Sequence, residues 1–188
     1  MDKKELRKNI LKMRDSMDEA DRFGADERVL LKLLALKEYR DANTVFTFVS
    51  YRSEVDTKQF ISESLRRGKR VLVPVVDNDK KEMILSELKS AEELQISDMG
   101  ILEPCGENIR PVEPKIVDIC ITPGAVFDRR GYRIGYGGGF YDKMMPRFRS
   151  DAKKIGISYD FQLVDEVPNE EHDQRIDMLI TDKEIYKF

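Results

Sequence analysis

The sequence has one histidine, His172, no tryptophan and two cysteines. Any Ser-His-Asp triad would need His172. A three-histidine zinc site and a His-x-x-x-His metalloprotease motif are excluded. Cys105 and Cys120 lack Cys-x-x-Cys spacing and read as buried or half-buried free thiols. Cysteine this sparse suits a reducing cytosol. Positive charge is not in excess either. The 33 Lys and Arg face 36 Asp and Glu, and the net charge of −3 argues against a general polyanion binder. No apolar run approaches the ~20 residues of a membrane helix. The charged N-terminus, MDKKELRKNILKMRD, lacks the apolar core of a signal peptide. The expectation is a cytoplasmic protein with neither nucleic acid nor a membrane as partner. Activated-group chemistry would have to rest on something other than histidine, such as bound phosphate and a divalent cation held by carboxylates.

What is present is material for a core: 40% of the 188 residues are apolar. One domain over 1–188 is expected. Leu6, Ile10, Met13 and Met17 recur at helical spacing, with Lys3, Lys4, Arg7, Lys8, Lys12 and Arg14 as a solvated basic face. Asp18 caps a second helix to about Glu38, with Phe23, Val29, Leu30, Leu33 and Leu34 apolar. A strand over 45–49 leads to a polar turn, 51–56, and a helix that Gly68 ends. A strand over 71–76 follows, and Pro74 marks an edge or bulge in it. A turn over 77–81 and a strand over 83–88 come next. Residues 90–114 read as an irregular connection with a short helix near 91–94. Strands return at 116–122, 154–158 and 178–181. Continuous apolar strands alternating with helices indicate an α/β sandwich, a mostly parallel, Rossmann-like sheet with helices on both faces.

Six of the eleven glycines lie between 124 and 139, after a buried strand and before a helix expected to run from Gly139 towards Phe148. Ligands bind at such turns in open parallel sheets. Glycine lets backbone N–H groups approach an anion, and a following helix N-terminus favours negative charge. No Walker loop is present, and Gly-x-G-x-x-Gly fails because Phe140 takes the last position. By composition the segment is either a phosphate loop or a structural turn. Arg129, Arg130 and Arg133 favour phosphate. Tyr136, Phe140 and Tyr141 are either stacking faces or core. Asp142 is either a magnesium ligand beside a phosphate loop or a first-turn helix aspartate.

The run Ile121-Thr122-Pro123-Gly124-Ala125-Val126-Phe127-Asp128, continued by Gly131-Tyr132-Arg133-Ile134-Gly135-Tyr136-Gly137-Gly138-Gly139-Phe140-Tyr141-Asp142, resembles the signature of the 5-formyltetrahydrofolate cyclo-ligase family. Lys3-Lys4-Glu5-Leu6-Arg7, Glu54-Val55-Asp56-Thr57 and His172-Asp173-Gln174-Arg175-Ile176-Asp177 fall in that family's order. The resemblance covers nearly the whole chain. It implies that ATP and Mg²⁺ convert 5-formyltetrahydrofolate, with or without a polyglutamate tail, into 5,10-methenyltetrahydrofolate, ADP and phosphate. Phosphoryl transfer works chiefly by positioning and charge, which fits the single histidine.

The resemblance also implies roles. Lys3 and Arg7 reach ATP phosphates from the first helix. Arg133, Ile134, Gly135, Tyr136, Gly137, Gly138, Gly139, Phe140 and Tyr141 form the ATP loop, with Arg133 and Tyr141 catalytic. Positions 136–140 also line the folate side. Glu54 contacts the pterin and Tyr51 lies in the same pocket. Asp142 and Asp173 hold the metal; His172, beside Asp173, is expected to serve positioning and not proton transfer. Gly138 stands where some members carry lysine, and Phe140 where many carry tyrosine. The expected state is a monomer or weak dimer. Two other classes remain open: a phosphosugar or thioester enzyme on a similar sheet, and a non-catalytic nucleotide- or RNA-binding module, supported by the basic first helix and Arg66-Arg67-Gly68-Lys69-Arg70.

Overall fold

The computed structural model describes residues 2–77, 80–97 and 100–188. Asn78 and Asp79 of the expected 77–81 turn, and Asp98 and Met99 of the long connection, lie outside these residues. The helices are α1 (Lys3–Asp15), α2 (Glu19–Ala35), α3 (Lys37–Asp41), α4 (Lys58–Arg66) and α5 (Phe140–Met144). The strands are β1 (Thr44–Thr47), β2 (Arg70–Asp77), β3 (Glu82–Leu88), β4 (Leu94–Ile96), β5 (Leu102–Pro104), β6 (Pro111–Val112) and β7 (Ile119–Thr122). They continue as β8 (Val126–Asp128), β9 (Arg133–Ile134), β10 (Lys153–Ser158), β11 (Leu163–Val164), β12 (Met178–Thr181) and β13 (Ile185–Lys187).

The main sheet has the order β13-β12-β10-β7-β1-β2-β3-β6. Its five central strands, from β12 to β2, pair in parallel, and β3, β6 and β13 add antiparallel edges. Strand alternation sorts the core into two faces. Val45, Ile119, Ile121, Ile155 and Ile180 pack against α2 and α4 through Val29, Leu33 and Phe60. Phe46, Leu72, Cys120 and Leu179 face Met144, Met145 and Phe148 on the other side. The expected α/β sandwich is therefore present, although among the described residues the second face is covered by α5 and short 3-10 turns rather than by long helices.

Several expectations are corrected. Met13 is 51% and Phe23 68% exposed, since helical spacing marks a face without saying whether anything covers it. The second helix ends at Ala35 rather than Glu38. Leu36 turns extended there, and α3 then buries Tyr39, whose hydroxyl meets Ser64 Oγ at 3.0 Å. The strand expected over 45–49 runs 44–47, so Phe48 and Val49 lie just past its end. The helix expected to reach Phe148 is α5 followed by a 3-10 turn over 145–147, because Pro146 has no N–H to continue it. The 90–114 connection is more ordered than expected. A 3-10 turn at 91–93 precedes a β4–β5 hairpin, and β6 extends the main sheet beside β3. Pro74 behaves as an edge residue on one side: pairing with β1 stops at Leu72, while β3 pairs on to Asp77.

Two devices place the glycine-rich segment. It carries a small sheet, β11-β8-β9, which the sequence reading missed because two- and three-residue strands have no measurable period. Within it, buried Asp128 accepts the backbone N–H groups of Arg130, Tyr132 and Val167 and the guanidinium of Arg130. Helix α1 packs on this sheet through Ile10, against Ala125, Val126, Ile134 and Val167.

Candidate active site

The strand order reverses between β1 and β7, and the crevice beyond their carboxyl ends is where open sheets bind ligands. A cavity of about 500 Å³ opens there. Phe48 and Val49 after β1, Pro74 and Val76 on β2 and Pro123 after β7 supply its apolar wall. Tyr51, Glu54, Tyr136, Gly138, Phe140 and Tyr141 also line it, beside residues of α1 and of β5, so the expected folate-side residues converge except Gly137 and Gly139.

Glu54 Oε2 accepts the Tyr51 N–H at 2.9 Å, which ties the 51–54 turn together. Burial raises the Glu54 pKa, opposed by a hydrogen bond from the Tyr136 hydroxyl, by the Tyr51 N–H and by the charge of Arg14. Burial likewise pushes the Tyr136 hydroxyl up, so it remains a proton donor. Arg14 is the residue the sequence reading missed. It sits on the face read as solvated, yet it is 4% exposed and donates to the Tyr136 hydroxyl at 2.7 Å and to Ser53 Oγ at 3.1 Å. A spacing signal existed, because Lys3, Arg7 and Arg14 share the helix face that carries buried Ile10.

The glycine loop lies at the other end of Tyr136. Gly137 and Gly139 have φ of +104° and +66°, a left-handed backbone that favours glycine. A Cβ on Gly137 would stand 3.8 Å from Arg7 Nη1, so Arg7 borders the loop. A Cβ on Gly138 would meet the Phe140 ring at 2.4 Å, so glycine and phenylalanine at these positions are sterically coupled. Ile134 is buried beneath α1 and serves packing. With only five residues, α5 contributes little dipole, and the anticipated helix-terminus attraction for an anion is correspondingly weak.

Arg133 is buried, its guanidinium 3.3 Å from Asp142 Oδ1 and 5.8 Å from the centre of the Tyr141 ring. Among the described residues Arg133 Nε, Arg7 Nε and the Tyr141 hydroxyl have no hydrogen-bond partner, and Arg133 Nη2 has only its ion pair with Asp142. Buried donors left unpaired are costly, and a ligand rich in acceptor oxygens would satisfy them. Burial raises the Tyr141 pKa, so its hydroxyl is a donor too. The ring stacks on Phe46 at 5.7 Å.

The two expected metal ligands are joined through one segment. Asp142 Oδ1 accepts the Gln174 N–H at 3.0 Å, next in sequence to Asp173. Asp173 Oδ2 accepts from Lys3 Nζ at 2.7 Å and from the Glu170 N–H at 2.8 Å. These bonds lower the Asp173 pKa although burial opposes them. Among the described residues no group of three or more His, Cys, Asp or Glu forms a metal cage. Magnesium does not require one, since it is held by one or two carboxylates plus phosphate oxygens and water. Two carboxylates are the kind of donor set magnesium takes together with a nucleotide, and each is here bonded within the protein, Asp142 to Arg133 and Asp173 to Lys3. His172 is 72% exposed, with Nε2 3.8 Å from Asp173, and makes no close bond that would position it.

The basic run 66–70 is occupied locally. Arg66 and Arg67 pair with Glu63, Arg70 with Glu87, and Lys69 donates to main-chain carbonyls. It presents no free phosphate-binding stripe.

Comparison with known proteins shows the family. The model of the 5-formyltetrahydrofolate cyclo-ligase family matches residues 1–182. The chain is 33% identical over 150 residues to the 5-formyltetrahydrofolate cyclo-ligase of Escherichia coli strain K12, covering 78% of this chain and 82% of that protein. It is 30% identical over 205 residues to the mitochondrial 5-formyltetrahydrofolate cyclo-ligase of Arabidopsis thaliana, covering 95% and 73%. The NMR structure of Aquifex aeolicus 5,10-methenyltetrahydrofolate synthetase superposes with a TM-score of 0.87 at 32% identity, covering 100% of this chain and 93% of that one. Family match, shared fold and the cavity where β1 and β7 diverge point the same way: the chain belongs to the 5-formyltetrahydrofolate cyclo-ligase family.

Proposed function

We propose that the cavity takes the pterin end of 5-formyltetrahydrofolate and the glycine loop takes ATP, so that one loop serves both. The observation that carries this is Tyr136. Its hydroxyl belongs to the Glu54 wall of the cavity, while the next residue, Gly137, lies beside Arg7. Glu54 accepts the pterin N–H donors, and Tyr51 and Phe140 flank the ring. Lys3, Arg7, Arg133 and the loop N–H groups of Gly135 to Gly139 hold the phosphates.

The formyl oxygen attacks the γ-phosphorus as the bond to the β-γ bridging oxygen breaks and ADP leaves. The neighbouring aniline nitrogen then attacks the formyl carbon, the carbon–oxygen bond to phosphate breaks, and the nitrogen's proton leaves with the phosphate. The protein positions the two ligands and offsets charge. Arg133 and the Tyr141 hydroxyl, with unpaired donors, face the charge that develops on the transferred group. Asp142 and Asp173 would hold Mg²⁺, which when bound neutralises phosphate charge. Lys3 then exchanges its bond with Asp173 for a phosphate.

The same reading treats 1–188 as one catalytic unit, supported by the family match over 1–182. It takes the enzyme as a monomer or weak dimer acting on mono- or polyglutamyl substrate. A cytoplasmic location is supported by two unpaired cysteines. Among the described residues no helix is long and apolar enough to cross a membrane. The test is direct. Purified protein with Mg-ATP and 5-formyltetrahydrofolate should produce the near-ultraviolet absorbance of the methenyl product, and a metal chelator should abolish it. Folded protein giving no product at any pH refutes the proposal.

A further inference from the structure

Arg14 is a buried charge to which the mechanism above gives no part. Taking a guanidinium out of water is costly, and a site keeps one when its hydrogen bonds are well made. Its bonds run to two separate walls of the cavity. Nε donates to Ser53 on the 51–54 turn, and Nη1 donates to the Tyr136 hydroxyl on the glycine loop. The guanidinium also lies 5.7 Å from the centre of the Tyr136 ring. Ser53 is held from its other side by a hydrogen bond to Asp15. Glu54 is the next residue after Ser53 and faces the same Tyr136 hydroxyl. Removing Arg14 would therefore release both neighbours of the Glu54 carboxylate together.

The position of Arg14 along α1 adds a second element. At 100° per residue, Lys3, Arg7 and Arg14 fall within about 40° of one another, with Arg14 ~10 Å beyond Arg7. The phosphate-side cations and Arg14 thus stand on one face of one helix.

We propose that Arg14 is a positioning residue for the folate subsite, bracing Tyr136 and Ser53 so that the Glu54 carboxylate is presented to the pterin, and that α1 thereby joins the folate and nucleotide subsites. This rests on the folate reading of the cavity. A structural arginine would move stability and both substrates alike, whereas a positioning arginine moves folate selectively and acts through Tyr136.

The experiment is calorimetric titration of the full chain with 5-formyltetrahydrofolate, without nucleotide, for wild type, Arg14→Gln, Tyr136→Phe and the double variant. The KM for ATP is measured in parallel. Losing one charge-assisted hydrogen bond corresponds to about 10-fold or more in Kd. Each single variant should weaken folate by about that factor. The double variant should be no weaker than about twice the poorer single one, because both changes break the same contact. In Arg14→Gln the KM for ATP should stay within about threefold. Arg14→Lys should restore only part of the affinity, since a point charge cannot serve two directions as the fork does. Multiplicative losses in the double variant, or an equal rise in the KM for ATP in Arg14→Gln, overturn the assignment. If Arg14→Gln does not fold, Tyr136→Phe with wild-type folate affinity overturns it. If wild type itself fails to bind folate, the reading of the cavity falls. If wild type binds and the variants match it, only the role of Arg14 falls.

Discussion

Replacing Glu54 by Gln should weaken folate binding while leaving the protein as stable as before or more so. Gln keeps an oxygen for the Tyr51 N–H, so the turn can persist. The charge alone is removed. A hydrogen bond to a charged group contributes ~1.5–3 kcal/mol against ~0.5–1.5 kcal/mol for a neutral one. For two pterin N–H donors the difference is about 2–3 kcal/mol, or about 30- to 150-fold in Kd. Stability moves the other way. Burial holds the Glu54 pKa above its ordinary value, so the folded state binds that proton more tightly than the unfolded chain does. The stabilising form is the protonated one. Its contribution is present below the unfolded pKa and is lost as pH rises through the folded pKa. At neutral pH the ionised carboxylate therefore costs stability, and the neutral amide removes that cost. Titration calorimetry and thermal melts at pH 7.5 check both halves. Wild-type folate affinity should also fall as pH drops through the raised Glu54 pKa, and Glu54→Gln should lose that dependence. Unchanged folate affinity in Glu54→Gln, or a melting temperature lowered by several degrees, refutes the reasoning.

Asp142→Asn should lower kcat far more than it weakens folate binding, in steady-state kinetics beside folate titration; equal losses would count against a metal role. Asp128→Ala removes a buried acceptor that serves three backbone N–H groups and a guanidinium, and should cost about 3–5 kcal/mol, seen as a melting temperature lower by about 6–20 °C. Gly138→Ala places a Cβ 2.4 Å from the edge of the Phe140 ring, so the ATP KM should rise, and Phe140→Leu in the same chain should recover part of the loss. Burial pushes the Cys120 thiol up to about 12, so a thiol reagent at pH 8 should titrate Cys105 alone in the native protein and both cysteines in denaturant.

The legible features were those with a local cause. Val45–Thr47, Ile119–Thr122 and Ile155–Ser158 read as strands because each is a run of buried residues in a parallel sheet, apolar but for its threonine, glycine or serine. Asp18 announced α2, and its carboxylate does accept the Ala20 N–H. The hairpin β4–β5 and the strands β8, β9 and β11 were not legible. Segments of two or three residues are held by partners distant in sequence, which no local pattern encodes. Tyr51, Glu54, Phe140 and Tyr141 were named from the family resemblance, and they do line one cavity. Arg14 was lost because a basic helix face looks the same whether it meets water or a ligand cavity.

The sequence by itself determined which chemistries were closed and which residues were candidates for the open one. One histidine, sparse cysteine and a glycine-rich run flanked by Arg133 and Asp142 left anion binding by backbone, cations and carboxylates. Tertiary structure alone decided how these were combined. Packing of Ile10 on the small sheet brings α1 to the edge of the cavity at the ends of β1 and β7. That docking carries Lys3 to Asp173, Arg7 to Gly137 and Arg14 to Tyr136. The physical reason is that burial and charge pairing depend on what covers a face, and the covering residues are more than a hundred positions away in the chain.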